Sequence, residues 1–298
     1  MKIISASRRT DIPAYYSQWF LNQIEAGFVK WRNPFGGMEI TTSLKPKDVA
    51  AIVFWSKNYD PLLHHLPALY DIGYRFVFQF TITGLPQVFE PDVPPADVTV
   101  PIARKLAEMY RPDAVLWRYD PILVSSITDI AYHRKRFAEL ANALEGSTHR
   151  CYFSFPTFYG KTIRNTEQLE QETGIRCIDP IIEEKIALAS ELAEIAELHG
   201  MEMFSCCCDV LISGKVKKAH CVDGELLAGL YPERMVPLRF KGTRQECGCF
   251  ESTDIGTYDT CPHGCVYCYA NTNKEVAERR WREFAISPRA ASSISRQQ

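Results

Sequence analysis

Residues 259–271 read DTCPHGCVYCYAN and contain three cysteines, Cys261, Cys265 and Cys268, in a C-x3-C-x2-C spacing. Thiolates this close together in sequence typically bind a soft metal, either an iron–sulfur cluster or zinc. Three ligands on one short loop can hold three corners of a cubane cluster and leave the fourth iron free to bind a small chelating molecule. We therefore predict a metal-bound loop, with an iron–sulfur cluster favoured over zinc, and we expect the rest of the fold to be arranged around it.

Length and composition limit the class of protein. The chain has 298 residues, 46% of them hydrophobic, which suits one large α/β domain or two smaller ones. Its formal net charge of −2 gives no indication of binding to nucleic acid or to an anionic membrane. The first residues lead into an apolar strand rather than a signal peptide, and no apolar run approaches the length of a membrane span. Eleven cysteines in such a chain favour metal ligation over disulfides, so we expect a cytoplasmic protein without a membrane partner.

Short apolar segments alternate with amphipathic segments along the chain. This alternation is typical of a parallel sheet wrapped by helices, so we predict an α/β fold built as a full or partial (β/α) barrel, with an open doubly wound sheet as the second choice. The predicted strands are Ile3–Ser7, Ala51–Ser56, Arg75–Thr81, Ala114–Tyr119, Arg150–Ser154 and Met201–Cys206. The predicted helices cover about residues 14–28, 59–72, 99–110, 128–144, 180–199 and 273–284.

Capping signals define two of these helices. Asp179 is the predicted N-cap of helix 180–199, with Pro180 at its first position. Thr272 and Glu275 have the spacing of a capping box at the start of the last helix. These signals predict helix starts at residues 180 and 273.

The predicted domain organisation has three parts. A barrel body covers residues 1–245, and a cysteine-rich segment with a closing helix, residues 246–285, belongs to the same domain. Residues 286–298 are rich in serine, alanine and glutamine and are predicted to be a disordered tail. Near the start of the body, Gly36 and Gly37 predict a hairpin turn.

Polar residues follow the predicted strands where each strand ends. Because catalytic groups in (β/α) barrels gather at the carboxyl ends of the strands, we predict that these side chains bind cofactor and substrate. Gln79 is the sharpest case, since a polar side chain inside an apolar strand is costly unless it has a partner. The candidate cofactor-binding residues are Arg8, Asp11, Lys57, Asn58, Gln79, Arg118 and Asp120.

A second group of cysteines lies between the last predicted strand and the loop. Four thiolates can hold an iron–sulfur cluster or a structural zinc ion, and the alternative is that they are small buried apolar side chains. We predict a second metal site, with Cys207 and Cys208 as alternate ligands, and treat Cys151 and Cys177 as ordinary thiols. His263, within the loop, is predicted to be solvated. The predicted ligands of the second site are Cys206, Cys221, Cys247 and Cys249.

Four motifs carry a resemblance that spans nearly the whole chain. They are SRRTDIP at residues 7–13, FWSKN at 54–58, WRYDP at 117–121 and the cysteine-rich stretch at 247–271. Together they resemble an uncharacterised prokaryotic iron–sulfur family known as a domain of unknown function. The ending CVYCY at 265–269 is similar to that of radical S-adenosylmethionine (SAM) proteins, including the spore photoproduct lyase group.

The resemblance implies a reaction class and a rearranged fold. In radical SAM enzymes a [4Fe-4S] cluster binds SAM at its open iron and cleaves it reductively, producing a 5′-deoxyadenosyl radical that abstracts hydrogen from substrate. A low-potential donor such as ferredoxin or flavodoxin supplies the electron. Such enzymes carry the cluster loop after their first strand, so its position here implies a circular permutation that moves residues 250–284 to the end. The Gly-Gly-Glu motif that binds the SAM amine is not at its usual place.

Two other functions fit the sequence. The first is a non-radical iron–sulfur protein that transfers electrons or uses the open iron as a Lewis acid. The second is a zinc-stabilised binding module, for which Arg279, Arg280 and Arg282 offer a basic helix face. We interpret that face as solvated and do not expect nucleic acid as a partner.

Overall fold

Eight parallel strands form one sheet whose central strands are almost entirely buried. The computed structural model describes residues 1–34 and 36–286. The spatial order of the strands is β10-β1-β4-β5-β6-β7-β8-β9. Runs such as FVFQFT in β5 are apolar on both faces, as expected for parallel strands that are covered on both sides. The strands are β1 (Lys2–Ala6), β4 (Val49–Ser56), β5 (Phe76–Thr81), β6 (Val115–Tyr119), β7 (Arg150–Phe153), β8 (Glu202–Ser205), β9 (Val216–Lys218) and β10 (Thr253–Asp254).

Helices connect the strands, and an antiparallel hairpin stands apart from the main sheet. The hairpin joins β2 (Phe28–Arg32) to β3 (Glu39–Ser43), with Arg32 opposite Glu39, so the turn predicted at Gly36 and Gly37 is confirmed. The helices are α1 (Ile12–Tyr15), α2 (Ser17–Ala26), α3 (Asp60–Leu63), α4 (Leu66–Asp71), α5 (Ala96–Met109), α6 (Ile130–Leu144), α7 (Gly160–Thr173), α8 (Ile182–Leu198), α9 (Gly224–Leu230) and α10 (Lys274–Ile286). None of these described helices is long and apolar enough to cross a membrane.

The two faces of the sheet have different coverings. On one face, side chains such as Phe54 and Trp117 pack with Phe20 of α2 and Phe137 of α6. On the other face, strand residues such as Val77 pack with α9 and the cysteine-rich segment. Right-handed crossovers between strands that follow chain order place their helices on a single face, which accounts for this arrangement. A doubly wound sheet, the second choice from the sequence, would carry crossover helices on both faces.

The sheet is open. Its two edges are β10 and β9, and within the described residues these strands pair only with β1 and β8, respectively. The prediction of a parallel sheet wrapped by helices is therefore confirmed, whereas a full barrel is not formed. The inner face is instead filled by α9 and the cysteine-rich segment.

Both predicted capping arrangements are wrong by one or two residues. Helix α8 begins at Ile182, where the Glu184 carboxylate accepts a hydrogen bond from the Ile181 backbone N–H at 3.2 Å. Asp179 instead pairs with Lys185 at 2.6 Å. Helix α10 is capped by Asn273, whose side-chain oxygen accepts from the N–H groups of two residues in its first turn. At α10 the Asn273 side chain thus takes the role predicted for Thr272, whereas the N-cap of α8 is Ile181, whose side chain makes no capping hydrogen bond.

Two helices were missed from the sequence, and the predicted tail was not tested. Helix α7 is mostly polar, and α9 has only seven residues, so neither gives a strong periodic signal. The predicted disordered tail at 286–298 lies, apart from its first residue, outside the described residues.

Candidate metal centre

The cysteine loop follows β10, and hydrogen bonds fasten it to the body of the fold. The Tyr16 hydroxyl donates to the Thr260 carbonyl at 2.7 Å, ahead of the first cysteine. In the middle of the loop, the Val266 N–H donates to the Phe89 carbonyl at 3.0 Å. At its end, the Asn271 side chain donates to the Cys261 carbonyl at 2.6 Å. The first two bonds hold the loop to the body of the protein, and the third closes the loop on itself.

His263 is buried and occupies the centre of this attachment. Its Nε2 lies 2.8 Å from Asp11 Oδ2, and its Nδ1 lies 3.1 Å from the Tyr15 hydroxyl. Asp11 also accepts hydrogen bonds from the Ser56 hydroxyl at 2.6 Å and the Lys57 N–H at 2.8 Å. The prediction that His263 is solvated is wrong, because its partners come from a segment about 250 positions away in sequence. Asp11 thus joins the loop to the ends of β1 and β4.

Of the three loop thiols, Cys265 is buried, and Cys261 and Cys268 are half-buried. Burial raises the pKa of Cys261 well above its ordinary value, and the neighbouring thiols Cys268 and Cys265 raise it further. Burial also raises the pKa of Cys265 to about 12, although the ammonium group of Lys57 acts in the opposite direction. The three sulfur atoms therefore lie close enough to affect one another, and a metal would have to displace their protons. The Ala270 N–H also donates to Cys268 Sγ at 3.3 Å.

A buried ion pair faces the loop. Lys57 Nζ lies 2.8 Å from Glu90 Oε1, and both side chains are largely shielded from solvent. Burial alone would lower the pKa of Lys57, but the Glu90 carboxylate, together with Cys265 and Asp120, outweighs this effect and raises it. Glu90 also accepts hydrogen bonds from the hydroxyls of Thr83 and Tyr267, so the pair is linked to the loop itself. Sequence reasoning missed Glu90, which lies in an irregular segment between β5 and α5 and has no periodic signal.

The extent of the family match decides the identification of the chain. Residues 3–270 match the family described as Domain of unknown function (DUF1848). The chain belongs to the DUF1848 family. The match begins in β1 and ends just after Cys268, so it includes the sheet and every cysteine of the loop. No curated protein sequence matches the DUF1848 chain.

Arg118 and Gln79 of the DUF1848 chain face the second group of cysteines. Gln79 is fully buried, and its Nε2 donates to the Cys221 carbonyl at 2.6 Å. Arg118 Nη1 donates to Gln79 Oε1 at 3.2 Å and to Cys221 Sγ at 3.4 Å. The prediction that Gln79 requires a partner is confirmed. Arg118 also forms an ion pair with Asp120. The Asp120 carboxylate lies near enough to Lys57, on the side of the loop, to help raise the pKa of that lysine.

Trp55 lies between two arginines. The guanidinium carbons of Arg8 and Arg118 lie 5.0 and 5.2 Å from the centre of its ring. The backbone of Arg8 contacts the loop side, where its carbonyl accepts from the Tyr269 hydroxyl at 3.0 Å. The Arg8 guanidinium lies near Cys249 and Cys221, which belong to the second group of cysteines. Arg8 and Arg118 thus lie between the two groups of cysteines.

Asn58 makes a different contact from the other candidates. Its side-chain oxygen accepts from the Asp60 N–H at 3.0 Å, at the start of α3. This contact stabilises the turn that follows β4. Of the seven predicted cofactor-binding residues, six meet around the two cysteine groups or hold the loop in place, and Asn58 supports the chain beside them.

The second group of cysteines contains the four predicted ligands and one more. Cys206 Sγ lies 3.2 Å from Cys221 Sγ and 3.8 Å from Cys207 Sγ. Cys207 and Cys249 lie close enough to Cys247 to lower its pKa. Cys207 is therefore part of the group, whereas the charges nearest to Cys208, the other alternate ligand, are those of Glu246, Lys185 and Asp209.

Neither group has the geometry of a single-ion site. Within residues 1–34 and 36–286, no set of three or more histidine, cysteine, aspartate or glutamate side chains surrounds one metal-ion position. A cubane cluster differs in this respect, since each thiolate binds a different iron and the sulfur atoms do not converge on one point. The cysteine-rich region thus offers the donors of a cluster without the arrangement of a mononuclear site.

Proposed function

We propose that this DUF1848 chain is an iron–sulfur enzyme of radical SAM type. The observation that carries the proposal is the unit formed by β10, the cysteine loop and α10. In this unit three thiols, with no fourth cysteine on the loop, face charged side chains from the ends of other strands. Three ligands suit a [4Fe-4S] cluster that keeps one iron open.

The position of β10 supports the proposed permutation. Although β10 comes last in sequence, it pairs in parallel with β1 through Ile4 and Thr253. Read across the sheet, the strand that carries the loop stands first, followed by β1, β4 and β5. Helix α10 packs back onto the body through Trp281, whose ring lies 5.3 Å from that of Tyr15. The strand, loop and helix thus occupy the place of a first βα unit.

The residues at the loop fit the group that the proposal requires. Cys261, Cys265 and Cys268 would hold the cluster, and Lys57 lies close enough to lower the pKa of Cys265 and offset its negative charge. When bound, the cluster and SAM supply the one-electron cleavage of SAM and the radical chemistry that follows. A low-potential donor such as ferredoxin or flavodoxin would supply the electron.

The chain's own residues would bind SAM and keep water out. SAM carries a carboxylate and an amine, and the facing groups Lys57 and Asp120 have the complementary charges. Asp120 has further partners in Arg118 and the Ser154 hydroxyl, which fix its carboxylate. Tyr267 projects its hydroxyl onto Glu90 and covers the loop on the side of the ion pair.

The test is anaerobic reconstitution followed by incubation with dithionite and SAM. We expect 5′-deoxyadenosine to form, detected by mass spectrometry, and we expect it to be lost in Cys265→Ala. Cys151→Ala is the matched control, because Cys151 is also a buried thiol but lies in β7 away from the loop. Absence of 5′-deoxyadenosine from protein whose cluster is intact would overturn the proposal. It would leave a non-radical iron–sulfur protein as the better description.

A further inference from the structure

A group of five thiols lies on the inner face of the sheet. Cys206 contacts Cys207 and Cys221, with sulfur–sulfur distances of 3.8 and 3.2 Å. Cys249 lies near Cys221, and Cys247 lies near both Cys249 and Cys207. Each of the five thiols therefore has two others of the group nearby. We call this group the thiol ring.

The fold assembles the thiol ring from three separate segments. Cys206 and Cys207 follow β8, Cys221 follows β9, and Cys247 and Cys249 precede β10. Gly248 allows the last pair to approach the others, since a Cβ there would lie 2.9 Å from His220 Nδ1 and 3.1 Å from the Ala219 carbonyl. Ordinary hydrophobic packing does not require five cysteines from three segments to gather in one place.

The sulfur distances exclude disulfides. A disulfide bond is about 2.05 Å long, well below the 3.2 Å between Cys206 and Cys221. Around one zinc ion, four thiolates would converge on one point, and no such point exists in the described part of the chain.

Positive charge surrounds the thiol ring. Arg118 Nη1 lies 3.4 Å from Cys221 Sγ, and Arg244 Nη2 lies 3.9 Å from Cys206 Sγ. Arg8 Nη2 is buried beside Cys249 and Cys221 and has no hydrogen-bond partner among the described residues. A buried guanidinium donor without a partner is costly, so this donor indicates an anionic acceptor that belongs in the ring.

A backbone N–H group also donates a hydrogen bond to one of the sulfur atoms. The Val222 N–H donates to Cys249 Sγ at 3.4 Å. Hydrogen bonds to sulfur and nearby positive charge are the means by which proteins stabilise the anionic cage of an iron–sulfur cluster. The donors and the charges thus agree on the same class of ligand.

We propose that the thiol ring holds a second iron–sulfur cluster, separate from the Cys261–Cys268 loop and ligated by four of its five thiolates. A fully ligated cluster has no open iron, so it would not bind SAM. The proposal is independent of SAM cleavage by the loop. The thiol ring has five cysteines and a cubane requires four, so one thiol would remain beside the cluster.

The test compares metal and sulfide content after anaerobic reconstitution of full-length variants. We expect about eight irons and eight sulfides per wild-type chain, and about four of each in the triple variant Cys261→Ala/Cys265→Ala/Cys268→Ala. The quadruple variant Cys206→Ala/Cys221→Ala/Cys247→Ala/Cys249→Ala should also keep about four. Cys208→Ala is the matched control, since Cys208 adjoins the ring in sequence without belonging to it, and it should keep all eight.

Three outcomes would overturn the proposal. The first is about four irons in the wild-type chain, a measurement that does not depend on any variant folding. The second is a folded triple variant, with the circular dichroism of the wild type, that contains no iron or sulfide. The third is one zinc ion per chain in that variant. If 5′-deoxyadenosine is not formed while about eight irons are found, only the proposed function fails.

Discussion

The two groups of cysteines differ in how the chain brings them together. The loop takes three thiols from eight consecutive residues, whereas the thiol ring takes five from segments that follow β8, follow β9 and precede β10. The loop faces a lysine and two carboxylates, Lys57, Glu90 and Asp120. The ring faces three arginines, Arg8, Arg118 and Arg244. One group thus has charges of both signs at its mouth, whereas the charged side chains nearest the sulfur atoms of the other group are arginines.

From this difference we infer that the two groups of cysteines, although chemically similar, have different functions. A site that admits a substrate benefits from partners of both signs, because they can exchange their ion pairs for contacts with a zwitterion. A site with arginines around it and five thiols, one more than a cubane requires, is suited to retaining its metal. We therefore expect the loop to govern reaction with SAM and the ring to govern retention of metal.

The largest expected effect separates these two tasks. Cys265→Ala should lower 5′-deoxyadenosine formation by more than about 100-fold, because it removes one of only three cluster ligands. The quadruple variant Cys206→Ala/Cys221→Ala/Cys247→Ala/Cys249→Ala should retain measurable cleavage while losing about four irons per chain, because the loop lies in a different segment. The measurement is a parallel assay of 5′-deoxyadenosine and iron on the same preparations. If the quadruple variant abolished cleavage as completely as Cys265→Ala, the division between the two regions would be wrong.

The next effect concerns the ion pair on the loop side. Glu90→Gln leaves the Lys57 ammonium buried without its carboxylate, so we expect the free energy of unfolding to fall by about 3–5 kcal/mol. Urea denaturation of the metal-free protein measures this loss. The matched control is Glu197→Gln, which removes an equivalent partner from the exposed Lys215 and should leave the midpoint unchanged. Adding Lys57→Met to Glu90→Gln should recover part of the loss, and equal midpoints for the two single variants would contradict the burial of the pair.

The pH dependence of this loss follows from the raised pKa of Lys57. Its ordinary value is 10.5, and the folded protein holds it above that value because of Glu90. A raised pKa means that the stabilisation is fully present below the unfolded pKa and is lost as pH rises through the folded pKa. In Glu90→Gln, burial without the carboxylate lowers the pKa of Lys57, so the variant is relieved of its buried charge as pH rises. The difference between wild type and Glu90→Gln should therefore be largest near neutral pH and shrink as the solution becomes more alkaline. A difference that grew with rising pH would assign it to another group.

Regular features of the fold could be predicted from the sequence. The six central strands lie within two residues of their predicted ends, because buried parallel strands are continuous apolar runs between polar turns. The burial of Gln79 also followed from its apolar neighbours, although the identity of its partners did not. What the sequence could not provide was contact between distant segments. His263 meets Asp11, and Gln79 meets Cys221, only because the sheet brings them together.

The membership of the thiol ring shows the same limit. The sequence predicts Cys207 only as an alternate ligand, because adjacent cysteines rarely bind one cluster. Its backbone has a positive φ of 54°, a conformation that no sequence pattern indicated, and its sulfur contacts both Cys206 and Cys247. Glu90 was missed for a related reason, since its role depends on Lys57 from another strand end. Residue type identified the thiols, but only three-dimensional contacts identified which thiols belong together.

The smallest effect tests how tightly the loop side is joined to the body. Gly256 follows β10, and a Cβ there would lie 2.5 Å from Ser7 Cβ and 3.3 Å from Thr10 Cγ2. Ser7 is not free to move away, because its hydroxyl donates to Asp254 at 2.6 Å. We expect Gly256→Ala to lower the free energy of unfolding by about 1–3 kcal/mol and to reduce iron at the loop while sparing the ring.

The control for this prediction is Gly229→Ala, because Gly229 lies in α9 and a Cβ there would meet nothing within 4 Å. That variant should be neutral or slightly more stable, since alanine favours a helix over glycine. Ser7→Gly in the Gly256→Ala background should restore stability by removing the clashing atoms. Urea denaturation and iron content measure both effects. If Gly256→Ala behaved like Gly229→Ala, the close approach of β10 to β1 would not be what positions the loop, and its cysteines would depend on their own hydrogen bonds alone.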